Sequence, residues 1–197
     1  MTAQRITGGL LVAGFIAAMT GVVMFLAGGG LDDTRSATGT YLIWERGFLI
    51  SAVVLTALSF VLLAEMLEAR GDQVFARLGS TTFLIASVIL VTAELMGLPF
   101  GDPNYRLIVA YVVLALIGQA VLGLSVLWTH LLQGWIGWAA IAWSMGWLVF
   151  LVIANPDDVY FPILHHVIPL VIGVSLLAGE RKRNASVLEG HSAEDEG

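Results

Sequence analysis

The 197 residues are 58% hydrophobic and 12% charged, against about 25% charged in an average soluble domain, which excludes a disordered chain. Nine Lys and Arg without a basic patch interleaved with aromatics exclude nucleic acid as a partner, and the net charge of −6 comes partly from the acidic end Glu189 to Glu196. With no cysteine, disulfides, iron–sulfur clusters, c-type haem attachment, thiol catalysis and a lipoprotein anchor are all excluded.

In chain order, one arginine precedes an uncharged run from Gly8 to Leu31. A signal peptide has an apolar core of ~7–15 residues, so this longer run is read as a retained first helix. Uncharged or nearly uncharged stretches predict six spans: 8–29, 46–67, 79–98, 105–128, 133–153 and 159–178. Each suits a bilayer, where ~20 apolar residues rising ~1.5 Å apiece cross ~30 Å of hydrocarbon. The expected fold is an all-α, polytopic six-transmembrane-helix bundle over residues 1–179. Residues 180–197 form a tail, basic at Arg181–Lys182–Arg183 and then Gly-, Ser- and acid-rich, expected to be cytoplasmic and disordered. No motif recurs at a fixed spacing, so no transporter-like repeat is visible.

Orientation follows from Lys and Arg, which are enriched in cytoplasmic loops. With the N-terminus inside, Arg5, Arg70, Arg77, Arg181, Lys182 and Arg183 fall on the inner side, and Arg35, Arg46 and Arg106 on the outer side. Aromatic belts agree: Tyr41, Trp44, Tyr105 and Tyr160 lie at one boundary, Trp128, Trp135 and Trp138 at the other. Both termini are therefore expected in the cytoplasm. The layout is that of small bacterial six-helix proteins of the inner (plasma) membrane, with the lipid bilayer as surroundings and a membrane protein or a second copy as partner.

Small residues mark close helix contacts in lipid. The first helix offers Ala13, Ala17 and Gly21, and the fourth Ala115, Gln119 and Gly123. Ser80, Ser87 and Glu94 form a polar seam on the third. On the sixth, Pro162, His166, Pro169 and Gly173 share one face, expected to point inward. Phe161, His165, Ile172 and Leu176 form a bulkier, more lipid-like one. Pro169 cannot bond the carbonyl of residue 165 four places back, so an acceptor is freed beside the histidine pair, to be satisfied by a neighbouring helix or water.

Under this topology Glu45, Arg46, Glu94, Asn155, His165 and His166 share one outer layer, with Gln119 deeper. Carboxylates and imidazoles at one depth can hold a polar ligand, relay protons or bind a metal ion, whose ligands would be Glu45, Glu94 and His166. Each residue also has a plainer reading. Glu45 and Arg46 suit a headgroup interface, Glu94 a hydrogen-bonded structural carboxyl, and each histidine a helix contact. Asn155–Pro156–Asp157–Asp158 reads as a helix start.

A bis-histidine haem within one chain is disfavoured. His130 lies about 20 Å from the pair in depth, and adjacent histidines diverge by ~100° on a helix. HExxH, GxSxG, Walker A and EF-hand patterns are absent. Three functions are expected: a non-enzymatic accessory or sensor-like protein with a polar ligand- or partner-binding pocket, a proton-coupled transporter using Glu94 and His166, and a metal-dependent intramembrane enzyme. The sequence leans to the first.

Overall fold

The computed structural model describes residues 3–28, 40–100, 105–154 and 164–194, with side chains described except at 97–100, 105 and 180–194. Six helices account for the secondary structure of these residues: α1 (Ala3–Ala27), α2 (Thr40–Glu68), α3 (Phe75–Phe100), α4 (Tyr105–Thr129), α5 (Gly134–Ala154) and α6 (Leu164–Glu194). α1 to α5 are long and apolar enough to cross a membrane, while the described apolar part of α6 is the shorter stretch Leu164–Gly179. Asn155–Pro156–Asp157–Asp158, Tyr160, Phe161 and Pro162 lie outside the described residues, as does the start of the expected sixth span.

Large apolar side chains cover the surface, while several charged and polar ones are buried within an otherwise apolar core. Val152 and Ile153 are about four-fifths exposed, and Ile16, Val88 and Leu58 more than half. Glu94, Gln119, His165 and His166 are at most 2% exposed. Apolar side chains outside and polar ones within are what a hydrocarbon solvent selects. Exposed Trp128, Trp135 and Trp138 ring one end and exposed Tyr41 and Trp44 the other, as interfacial rings do. The fold is a helical membrane bundle.

Neighbouring helices run antiparallel. α1 packs between α2 and α6, α2 against α3, α3 against α4 and α4 against α5, while α5 touches α6 only sparsely. Reciprocal glycines set three of these crossings. A Cβ on Gly8 would come within 2.9 Å of the Gly173 carbonyl, one on Gly79 within 2.9 Å of the Gly118 carbonyl, and one on Gly137 within 2.7 Å of the Gly123 carbonyl. Backbones that meet so closely trade side-chain volume for dispersion contact, the main attraction left when lipid tails are as apolar as leucine. On α1 the buried row is Thr7, Leu11, Gly14, Ala18 and Gly21, with Ala13 exposed and Ala17 half-buried. The expected Ala13–Ala17–Gly21 stripe is therefore out of register: the contact follows a seven-residue repeat of 7, 14 and 21.

The α2–α3 turn is fixed by local chemistry. Gly71, at φ 104°, ends α2 in the left-handed conformation that glycine adopts freely, and its N–H donates to the Glu68 carbonyl. Asp72 then caps α3, accepting from the backbone N–H groups of Val74 and Phe75 at 3.0 Å and of Ala76 at 3.1 Å. Arg77 clasps Glu68 across the turn with two hydrogen bonds of 2.7 and 2.8 Å. Burial pushes the Asp72 carboxyl up, but the nearby Ser125 hydroxyl and the three backbone donors outweigh it and hold the group below the ordinary aspartate range.

Beyond Gly179, α6 is described as helix to Glu194. Glu180, Arg181, Lys182 and Arg183 are all good helix formers. Continuing an existing helix adds one backbone bond per residue and needs no new nucleus.

Two predictions follow from the packing and the cap. Gly79→Ala should lower thermal stability in detergent by about 1–3 kcal/mol, because backbone atoms on both sides must shift. Gly9→Ala and Gly146→Ala, with nothing within 4 Å, should leave it unchanged or raise it by up to ~1 kcal/mol. Asp72→Ala should cost about 0.5–2 kcal/mol at neutral pH. A lowered folded pKa contributes stability that is complete above the unfolded value of ~3.9 and is lost as pH falls through the folded value. The gap between wild type and Asp72→Ala should accordingly narrow in denaturation curves taken below that value.

Candidate functional site

Polar residues from four helices converge near the end of the bundle where α2, α4 and α6 begin. On α2, Arg46 donates from Nη1 to Glu94 Oε2 of α3 in a buried ion pair; the Arg46 side chain is 10% exposed and that of Glu94 is 0%. The preceding Glu45 is also buried, at 4% exposure, within electrostatic reach of both. An interfacial, headgroup-wetted position for Glu45 and Arg46 does not fit this burial. Tyr111 of α4 is fully buried at the same end of the bundle. The Tyr111 ring meets His165 of α6 at 5.1 Å between centroids.

Pro169 explains the next contact. Having no N–H, it leaves the His165 carbonyl without its helical donor. Gln119 of α4 supplies one, its Nε2 lying 2.6 Å from that oxygen. One residue earlier, Trp143 of α5 donates from Nε1 to the Leu164 carbonyl at 3.1 Å. Helical side chains lean toward the N-terminus of their helix, which lets Gln119, two turns beyond Tyr111, reach back to the same histidine.

The two histidines part company. His166 Nδ1 lies 3.2 Å from the Thr56 hydroxyl of α2, which itself donates to the Ala52 carbonyl. His165 stands against Tyr111 and Gln119, and it, Ile172 and Leu176 are at most 2% exposed. The lipid-like face assigned to these residues is therefore a buried one: α1 covers one side of α6 at Gly173, and the interior takes the other. Among the described residues, Glu94 and His166 share no hydrogen bond or ion pair. Arg46 holds the acid and Thr56 the imidazole. Ser80 and Ser87 are buried as the seam requires, but both hydroxyls turn back to their own helix, to the carbonyls of Arg77 and Phe83. They do not extend the polar group along α3.

Glu45, Arg46, Glu94, Gln119 and His165 thus form one contiguous group, with His166 beside it and Asn155 outside the described residues. Sequence reasoning missed Tyr111 and Thr56. Tyr111 was within reach: the row Ala115, Gln119, Gly123 on α4, taken one step back, lands on it. Several buried polar atoms here have no hydrogen-bond partner among the described residues: Glu45 Oε2, Glu94 Oε1, Tyr111 OH, Gln119 Oε1 and His165 Nδ1. Buried polar atoms in native proteins are nearly always paired, so such a cluster is what a ligand, a water or a proton satisfies. No group of three or more His, Cys, Asp or Glu suited to a metal ion exists among the described residues, and Glu45, Glu94 and His166 do not form one.

The Gln119–His165 contact can be tested through the proline that calls for it. Gln119→Leu should cost about 1–3 kcal/mol of stability by leaving a buried carbonyl unpaired. In a Pro169→Ala background, where residue 169 can donate its own N–H, the same change should cost markedly less. Equal losses in both backgrounds, measured by thermal unfolding, would show that Gln119 acts elsewhere.

Comparison with known families, curated proteins and solved structures finds no match to this chain.

Proposed function

We propose that this is a non-enzymatic, sensor-like or accessory protein of the plasma membrane, with a small polar ligand held at the Glu45–Arg46–Glu94–Tyr111–His165 centre. The observation that carries the reading is the buried ion pair flanked by buried polar atoms without partners. Ionisable groups inside a bundle are expensive to bury, and they persist where they bind or relay something. An orientation with both termini cytoplasmic puts the centre in the outer leaflet. The burial of Arg46 supports that orientation, since it withdraws one arginine from the outer loops in the comparison with six basic residues on the inner side.

A proton-coupled pathway is the second reading, favoured by the inward continuation from Tyr111 and His165 to Gln119. His165 rather than His166 belongs to that line. A metal-dependent enzyme finds less support, because Arg46 holds Glu94 while Thr56 holds His166.

Stability measured across pH and with a panel of small ions tests the reading. Wild type should respond to at least one of these variables, and Glu94→Gln should lose that response. Identical, flat behaviour of both would reduce the ion pair to a packing device. For the orientation, a reporter enzyme active only in the periplasm should stay silent when fused after Gly197, and strong activity would reverse it.

A further inference from the structure

The charges at the centre do not balance. Glu45 and Glu94 bring two carboxylates and Arg46 one guanidinium, all at most 8% exposed. With both acids ionised, the described residues leave one negative charge in surplus inside a low-dielectric bundle, where an uncompensated charge is strongly unfavourable. Among the described residues, the groups that could offset it are few. α1 presents Leu11, Gly14, Ala18 and Gly21, none of them charged, on its buried face along α2. α3 contributes Glu94 itself, α4 contributes Tyr111, α6 contributes His165 and His166, and Arg106 at the start of α4 is exposed.

The oxygens tell the same story. Glu45 Oε2 and Glu94 Oε1 are buried acceptors without a donor among the described residues. A single O–H donor among them removes both the charge surplus and the unpaired acceptors at once. A divalent metal would overshoot the charge, and the residues do not gather a metal-binding group. A proton on His165 would fit poorly, because an imidazolium donates from both nitrogens and Nδ1 has no acceptor among the described residues.

Resting on the reading of this centre as a binding site, we infer that its ligand is one proton, held by the Glu45 carboxyl beside the Arg46–Glu94 ion pair. The proton is taken up and released at the end of the bundle where Glu45 opens α2. Loss of the proton leaves two carboxylates competing for one guanidinium, which loosens the α2–α3 contact. The centre is therefore a sensor of proton concentration on that side of the membrane.

Infrared spectroscopy of the purified protein in nanodiscs near neutral pH tests the stoichiometry through the deuterium-sensitive carbonyl band of a protonated carboxyl. Wild type should show one such band. Glu45→Gln and Glu94→Gln should each lose it, because either remaining carboxylate is balanced by Arg46. Arg46→Gln should double it, and should that variant fail to fold, the two acid variants decide the matter alone. A band that survives in both acid variants belongs to another carboxyl and overturns the inference. The absence of any band in wild type overturns it too. In that case, stabilisation by sodium or potassium that is lost in Glu45→Gln would leave the binding site standing with a different ligand. No response to pH or to either ion would remove the site along with the proton.

Discussion

Everything at the polar end of this bundle depends on the Arg46–Glu94 pair. Neither charge is tolerable alone in an apolar bundle, so the two helices that carry them are held to one register. The opposite end of the same helix pair carries a second arginine–glutamate contact, Arg77 to Glu68, with Arg77 71% exposed. That outer clasp is screened by solvent and adds little. The turn beneath it is set instead by Gly71 and the Asp72 cap. One hairpin is therefore pinned by burial at one end and by backbone hydrogen bonding at the other.

The same demand for pairing governs the backbone. In a soluble protein water would reach the carbonyl freed by Pro169, but in hydrocarbon it has to be met from within the protein. Gln119 and Trp143 meet successive carbonyls at the start of α6 from two different helices. This binds α6 to α4 and α5 even though α5 and α6 otherwise touch sparsely. A proline that weakens one helix thus becomes the reason that α4 is bonded to α6.

The sequence made legible whatever depends on a helix by itself. Apolar runs pointed to a helical membrane bundle, and the seven-residue spacing of Ser80, Ser87 and Glu94 identified a buried face. The freed acceptor at residue 165 followed from proline geometry alone. What stayed hidden depends on which helix lies opposite. Arg46 looked like an interfacial residue because nothing local reveals that Glu94 waits across α2 and α3. His166 is buried, as its small-residue face suggests, and His165 is buried too, because both faces of α6 are covered, one by α1 and one by the interior. The α1 stripe slipped because four-residue spacing drifts off one face, whereas Gly14 and Gly21 keep it.

The close crossings and the polar centre also occupy different levels, and the difference has a consequence. Gly8–Gly173, Gly79–Gly118 and Gly123–Gly137 draw the backbones together toward the end where α1, α3 and α5 begin. At the other end Gly21 still keeps α1 close to α2, but α2, α3, α4 and α6 are separated by large side chains, among them Arg46, Tyr111 and His165. Close-packed backbones resist displacement, since each approach leaves no side chain to adjust. Bulky polar side chains can change partners with small movements. A charge change at Glu45 or Glu94 would therefore act on the end of the bundle that can yield, while the glycine crossings hold the far end as a fixed base. A proton-sensitive contact needs that combination, because a shift in pairing has to become a shift in helix position without dismantling the fold.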